Sequence, residues 1–190
     1  SDAFAFGKAA EDMQRAVELD PDNATNHWKL GGYLVSREAV SYGCITEAPN
    51  IETLERIIRS YGTSLEKDPT RSAAWINLLE VLVLTEQWDD AIACYGSSRS
   101  YITDLDFRLI RAFLGCLALV LAGDKLLDED LGPLENDDIR LSPYTYRFDE
   151  IDTFLKTLDA RRFGPPRVAK ANEVRNRFVD HFTAEPWRYC

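Results

Sequence analysis

Only two histidines, His27 and His181, could serve as a general base near neutral pH, and four cysteines, Cys44, Cys94, Cys116 and Cys190, could serve as thiol nucleophiles. Asp180-His181 with Cys190 can be drawn as a carboxylate, a base and a nucleophile. Acyl transfer by such a set also needs donors for the developing oxyanion, and the sequence identifies none. Asp128-x-Asp130-x-Gly132 begins like a calcium loop. That loop requires its glycine one residue later and a glutamate at its end, where Pro133 and Ile139 stand. The acidic stretch is therefore expected to be a solvated loop. No glycine-rich phosphate loop occurs, because Gly31-Gly32 lies inside a helical pattern and reads as close packing. The cysteines form no C-x-x-C pair, so buried reduced thiols and a reducing, cytoplasmic compartment are expected. These readings predict a protein that is not an enzyme and carries no metal or cofactor.

The elements that would position such residues are announced by repetition. Ala16 to Leu34 reads AVELDPDNATNHWKLGGYL, and further along Ser64 to Leu82 reads SLEKDPTRSAAWINLLEVL. Glu18/Glu66, Asp20/Asp68, Pro21/Pro69, Leu30/Leu78 and Leu34/Leu82 fall in register. Each copy is the end of one helix, an Asp-Pro stop and the start of another. Proline disfavours helical geometry in the residue before it, so each helix stops at the same place in both copies. Leucine and aromatic residues three and four apart lay one apolar stripe on each helix.

The best copy runs Trp75-x2-Leu78-Leu79-x2-Leu82 and continues into Ala91-x3-Tyr95. His27-x2-Leu30-Gly31-x2-Leu34 repeats its first half. Ala9-x3-Met13 before Pro21, and Ile57-x3-Tyr61 before Pro69, repeat its second half with one common spacing to the proline. Over residues 4–123 the chain resembles the tetratricopeptide repeat family. The resemblance implies an all-α fold, an α-α superhelix: a tetratricopeptide-like solenoid of antiparallel helix pairs, closed by C-terminal capping helices. Residues 1–124 would form the repeats. Residues 125–190 would form an acidic loop and the capping helices within the same domain.

Three features depart from the pattern. His27 and Ile57 stand nearly twice as far apart as Trp75 and Ala91, the corresponding positions of the best copy. The surplus is enough for about four helical turns. It predicts two helices lengthened by two turns each, joined through Ile45 to Asn50, with Asn50 as the cap of the second. The chain opens inside a second-type helix, Phe4 to Leu19, with no first helix before it. After Arg99 the repeat blurs, Thr103 taking the proline position. Asp104 to Gly123 then reads as one helix, apolar nearly all round, capped by Asp104 and closed by Gly123. Lys125 to Arg140 reads as the acidic loop, and Ser142-Pro143 as a helix start leading to the stripe Phe148, Ile151, Phe154, Leu155 and Leu158. Gly164-Pro165-Pro166 breaks that helix, and a last one carries Val168, Val174, Phe178 and Phe182.

Composition narrows the partners. The net charge of −10 argues against nucleic acid and anionic membranes. The longest apolar run, Ala112 to Ala122, is too short to insert through a bilayer. The charge is uneven: residues 156–190 carry eight basic side chains against four acidic ones and are expected to lean on the acidic remainder.

The expected function is a scaffold or adaptor that binds a protein or peptide partner in a concave groove. The resemblance places Thr25, Trp28, Gly32 and Val35 of one first-type helix on that face, with Ala73, Ile76, Asn77, Glu80 and Val83 of the next. The mixed, largely apolar surface suits an amphipathic helix or an extended apolar segment, and Trp28 offers the largest contact area. The alternative is a regulatory or targeting domain of a larger multidomain enzyme. A further alternative is a homo-oligomer assembled through the helix near Phe4 and Phe6.

Overall fold

The computed structural model describes residues 2–42, 51–136, 138–142, 146 and 148–183, and among these the fold is all-α. The helices are α1 (Asp2–Leu19), α2 (Ala24–Tyr42), α3 (Ile51–Lys67), α4 (Ser72–Leu84), α5 (Trp88–Ser98), α6 (Leu105–Ala122), α7 (Asp128–Leu131), α8 (Asp149–Thr157), α9 (Ala160–Phe163) and α10 (Pro165–Val179). A 3-10 turn, Gly132–Glu135, follows α7. The chain forms two compact units, Ser1–Leu78 and Leu79–Cys190. The boundary between these units falls inside α4. Within the second unit α6 packs on both α5 and α10, so the C-terminal helices share a core with it.

In the first unit the written repeat is a structural repeat down to single hydrogen bonds. Asp20 N–H donates to the Ala16 carbonyl at 3.0 Å, and Asp68 N–H to the Ser64 carbonyl at 2.9 Å. Asn23 N–H reaches the Asp20 carbonyl and Arg71 N–H the Asp68 carbonyl, both at 3.3 Å. His27 Nε2 meets the Pro21 carbonyl at 2.9 Å, and Trp75 Nε1 donates to the Pro69 carbonyl at 2.8 Å. A ring nitrogen at the same offset thus closes each Asp-Pro turn. His27 is accounted for as a structural residue.

The extra residues of the first pair lengthen both its helices. At 19 residues α2 is six longer than α4, and at 17 residues α3 is six longer than α5, close to two turns each. The expected connection and the Asn50 cap lie outside the described residues. Within the unit α2 packs on both α1 and α3, with Leu30, Leu34, Ile57, Tyr61 and Leu65 buried. Gly31 permits the approach of α2 to α3. A β-carbon there would lie 2.6 Å from the Tyr61 ring, which real contacts do not allow.

In the second unit α6 is the centre. Twelve of its 18 residues are buried, and Gly115 lies against the Tyr95 ring, where a β-carbon would come within 2.3 Å. Its ends are those read from the sequence. The Asp104 carboxylate accepts from the amides of Asp106 and Phe107, and Gly123 adopts φ 95°. Phe113 stacks on Phe178 at 4.1 Å, with Phe148, Phe182 and Tyr146 around Phe178. The helix expected to start at Ser142-Pro143 starts instead at Asp149. Leu141 pairs with Phe182 and the Tyr146 ring packs against Phe178, so core contacts hold Leu141 and Tyr146 out of the helix, while Pro143 lies outside the described residues. The Gly164 break holds, with a separate short α9 before it, and Phe182 lies beyond α10 rather than within it.

Candidate functional site

Helix α2 turns through about 100° per residue, so Thr25, Trp28, Gly32 and Val35 share one stripe. All four are half-buried. At the near end, Arg71, the residue before α4, donates from Nη2 to Thr25 Oγ1 at 2.8 Å. Its guanidinium lies over the Trp28 ring at 5.5 Å, a cation–π distance. The Trp28 indole N–H faces the Asn77 amide at 3.1 Å, and assigning the amide oxygen to that side lets it accept from the indole while its nitrogen donates to the Ala73 carbonyl at 3.2 Å. At the far end Gly32 has no side chain, and a β-carbon there would meet only the Tyr61 hydroxyl, at 3.9 Å. Among the described residues the face is therefore a strip: Thr25 and Arg71, then Trp28 and Asn77, then Gly32 near the Tyr61 hydroxyl, with Val35 beyond it.

Five sequence-predicted residues of the first unit, Thr25, Trp28, Gly32, Ala73 and Asn77, meet in or beside this strip, and Val35 continues it. Ile76 belongs to the same unit but is buried, 3% exposed, and cannot line an open face. In the second unit Val83 is fully buried and Glu80 is engaged, accepting from the Tyr146 hydroxyl at 2.5 Å. Val83 therefore cannot line an open face, whereas Glu80 is half-buried. Helix α4 buries Ala74, Ile76, Leu79, Val81, Leu82 and Val83, so it is apolar on several sides, and spacing alone could not separate an open face from a packed one.

Arg71 escaped the sequence reading. Its signal was available: in the second copy of the repeat, Arg71 takes the place that Asn23 has in the first. The Asn23 side-chain oxygen accepts from the Thr25 and Asn26 amides and caps α2. An arginine in place of a capping asparagine cannot do that, and it reaches across to α2 instead. Its nearest acid is Asp68, at 3.5 Å, longer than a charge-assisted hydrogen bond. Bonds from the Thr70 hydroxyl and amide hold the Asp68 carboxyl below its usual range. The Arg71 Nε–H is buried and has no acceptor.

The residues first considered for chemistry have other partners. His181 is buried, with Nδ1 3.0 Å from the Ile139 carbonyl and Nε2 3.0 Å from the Leu134 carbonyl, so both ring nitrogens are taken by backbone. Cys190 lies outside the described residues. Asp130 accepts from the Tyr95 hydroxyl at 2.9 Å and from the Leu127 amide at 3.0 Å, and Glu129 pairs with Arg99 at 3.0 Å. Cys94 and Cys116 are buried free thiols, and burial pushes both up to about 12. A thiol that titrates there stays neutral and unreactive in neutral solution. No helix among the described residues is long and apolar enough to cross a membrane.

No protein-family model matches the chain, and no curated protein matches it either.

Proposed function

We propose that this protein is an interaction module that binds a protein or peptide partner along the α2 strip of its first unit. One observation carries the reading. Trp28 is half-exposed, and its indole N–H and ring face are already oriented by Asn77 and Arg71. A held aromatic ring loses little freedom on binding, which is the condition for a binding hot spot. The repeated Asp-Pro turns and the lengths of α4 and α5 support the related reading of tetratricopeptide-type helix pairs within a solenoid.

The test is capture of partners from the native lysate by the wild type and by Gly32→Arg. A β-carbon at Gly32 meets no described atom closer than the Tyr61 hydroxyl, at 3.9 Å, so the variant is expected to fold. A partner held by the wild type and lost by Gly32→Arg supports the reading. Equal capture by both places the binding surface elsewhere, and no partner at all overturns the module.

A further inference from the structure

The geometry points to a binding site in the second unit, independent of the α2 strip: a pocket for a small molecule that joins one carboxylate to an apolar body. The end of α6, the turn after it, the end of α7 and the start of α10 surround a cavity of about 360 Å³. That volume falls at the lower end of the range for small-molecule sites, about 300–1,000 Å³. Val120, Leu126, Leu131 and Pro166 give it an apolar wall. Val120 is rooted in the core at 5% exposure, and Leu126 and Leu131 are half-buried, so an apolar body seated there would cover surface that water now reaches.

The polar end of the ligand is set by Arg167, which lines the same cavity. Its guanidinium lies against the bare backbone of Gly123, where a β-carbon would come within 2.5 Å of Nη2. Nη1 donates to the Leu121 and Ala122 carbonyls at 3.3 and 3.4 Å, longer than ordinary N–H···O bonds. Among the described residues no carboxylate pairs with Arg167, and its Nη2 makes no hydrogen bond. The other cation of the wall, Lys170, is already met by Glu173 at 2.9 Å. The unmet charge is therefore that of Arg167, and a carboxylate is the planar acceptor that takes two guanidinium N–H groups at once. Asp124 also lines the cavity, so a second negative charge on the ligand would be repelled by its carboxylate.

The experiment titrates the isotope-labelled full chain with octanoate, octanol and acetate while the amide signals of Gly123, Asp124, Leu131 and Lys170 are followed by NMR. Octanoate is expected to saturate a single site and to move those signals. Octanol should bind about tenfold more weakly, the effect of one charged hydrogen bond, and acetate, which lacks the apolar body, should not saturate. Arg167→Gln should reduce octanoate to the affinity of octanol, and Leu126→Gln should weaken both, with each variant melting near the wild type. Arg167→Lys keeps the charge without the planar fork and should retain only part of the preference for octanoate, which gives a second reading if the glutamine variant folds poorly. Equal binding of octanoate and octanol overturns the inference, as does saturation by acetate at octanoate's affinity. Signals that move elsewhere in the chain, a preference that survives Arg167→Gln, or no binding of octanoate overturn it as well.

Discussion

Two adjacent glycines do opposite work. Gly31 faces the Tyr61 ring at a distance that forbids a β-carbon, whereas a β-carbon at Gly32 would meet no described atom closer than the Tyr61 hydroxyl, at 3.9 Å. Gly31→Ala is expected to destabilise the fold by about 1–3 kcal/mol through overpacking. Gly32→Ala is expected to stabilise it by about 0.5–1 kcal/mol, because alanine is the better helix former. Urea titration of the two variants checks the pair, and equal effects would refute the packing account. Glu86 gives a second residue-scale contrast. It is the only non-glycine residue with positive φ among the described residues, at 60°, and its carboxylate pairs with Arg162. Glu86→Gly and Glu86→Ala both lose the pair, but only alanine keeps the strain. The alanine variant should therefore be less stable by about 1 kcal/mol. The buried thiols set a pH dependence. Their folded values of about 12 lie above the ordinary 9.0, so the neutral thiol is favoured in the fold. Stability from this source is complete below pH 9.0 and is lost as the pH rises toward about 12. Chemical denaturation on either side of pH 9.0 should show the loss, and a double Cys94→Ala, Cys116→Ala variant should show less of it.

At the level of elements, the ends of the helices are held by local chemistry that sequence states directly. Asp104 caps α6 with two amide bonds, and Gly123 closes it in the left-handed region. Asp104→Ala should cost about 0.5–2 kcal/mol, and Asp104→Ser should recover most of it. The pair of Asp-Pro turns behaves the same way, each closed by a ring nitrogen on the proline carbonyl. Helix faces are less legible. The α2 stripe is readable because its inner positions, Leu30 and Leu34, differ plainly from Thr25 and Gly32. In α4 both sides are apolar, and the family resemblance places Val83 on the open face although it is completely buried. Val83→Glu, which would be harmless on an open groove, is instead expected to unfold the second unit. It puts an unpaired carboxylate where no solvent reaches. A well-folded Val83→Glu protein would refute the burial.

For the whole molecule, the basic C-terminal stretch is an internal fastening. Arg162 pairs with Glu86, Arg177 with Glu135 at 2.6 Å, and Lys156 and Arg175 both with Asp152, each at 2.5 Å. Arg167 donates to the carbonyls of Leu121 and Ala122 at the end of α6. Asp152 is 4% exposed, so its two cations are its replacement for water. Asp152→Ala would remove the buried acid that both cations contact and should cost about 3 kcal/mol or more. The exposed Lys170–Glu173 pair should contribute less than about 1 kcal/mol. Thermal melts of Asp152→Ala beside Lys170→Ala test that ranking, since Glu173 also pairs with Arg177.

Features that depend on neighbours along the chain were legible in the amino-acid string. The all-α class, the internal duplication, the stops at Pro21 and Pro69, the caps of α6 and the lengthening of α2 and α3 all follow from backbone preferences within a few residues. Packing at Gly31 was legible too, because a glycine inside a strong helix pattern has few other reasons to be there. Three-dimensional packing was needed to decide which apolar faces are covered, that the chain divides within α4, and that Glu80 belongs to Tyr146. It alone decided that Arg71, rather than any residue of the expected groove, supplies the charge beside Trp28. Those outcomes depend on groups far apart in sequence competing for the same surface. Periodicity shows that a helix has an apolar side, and the winner of that competition determines whether the side stays open.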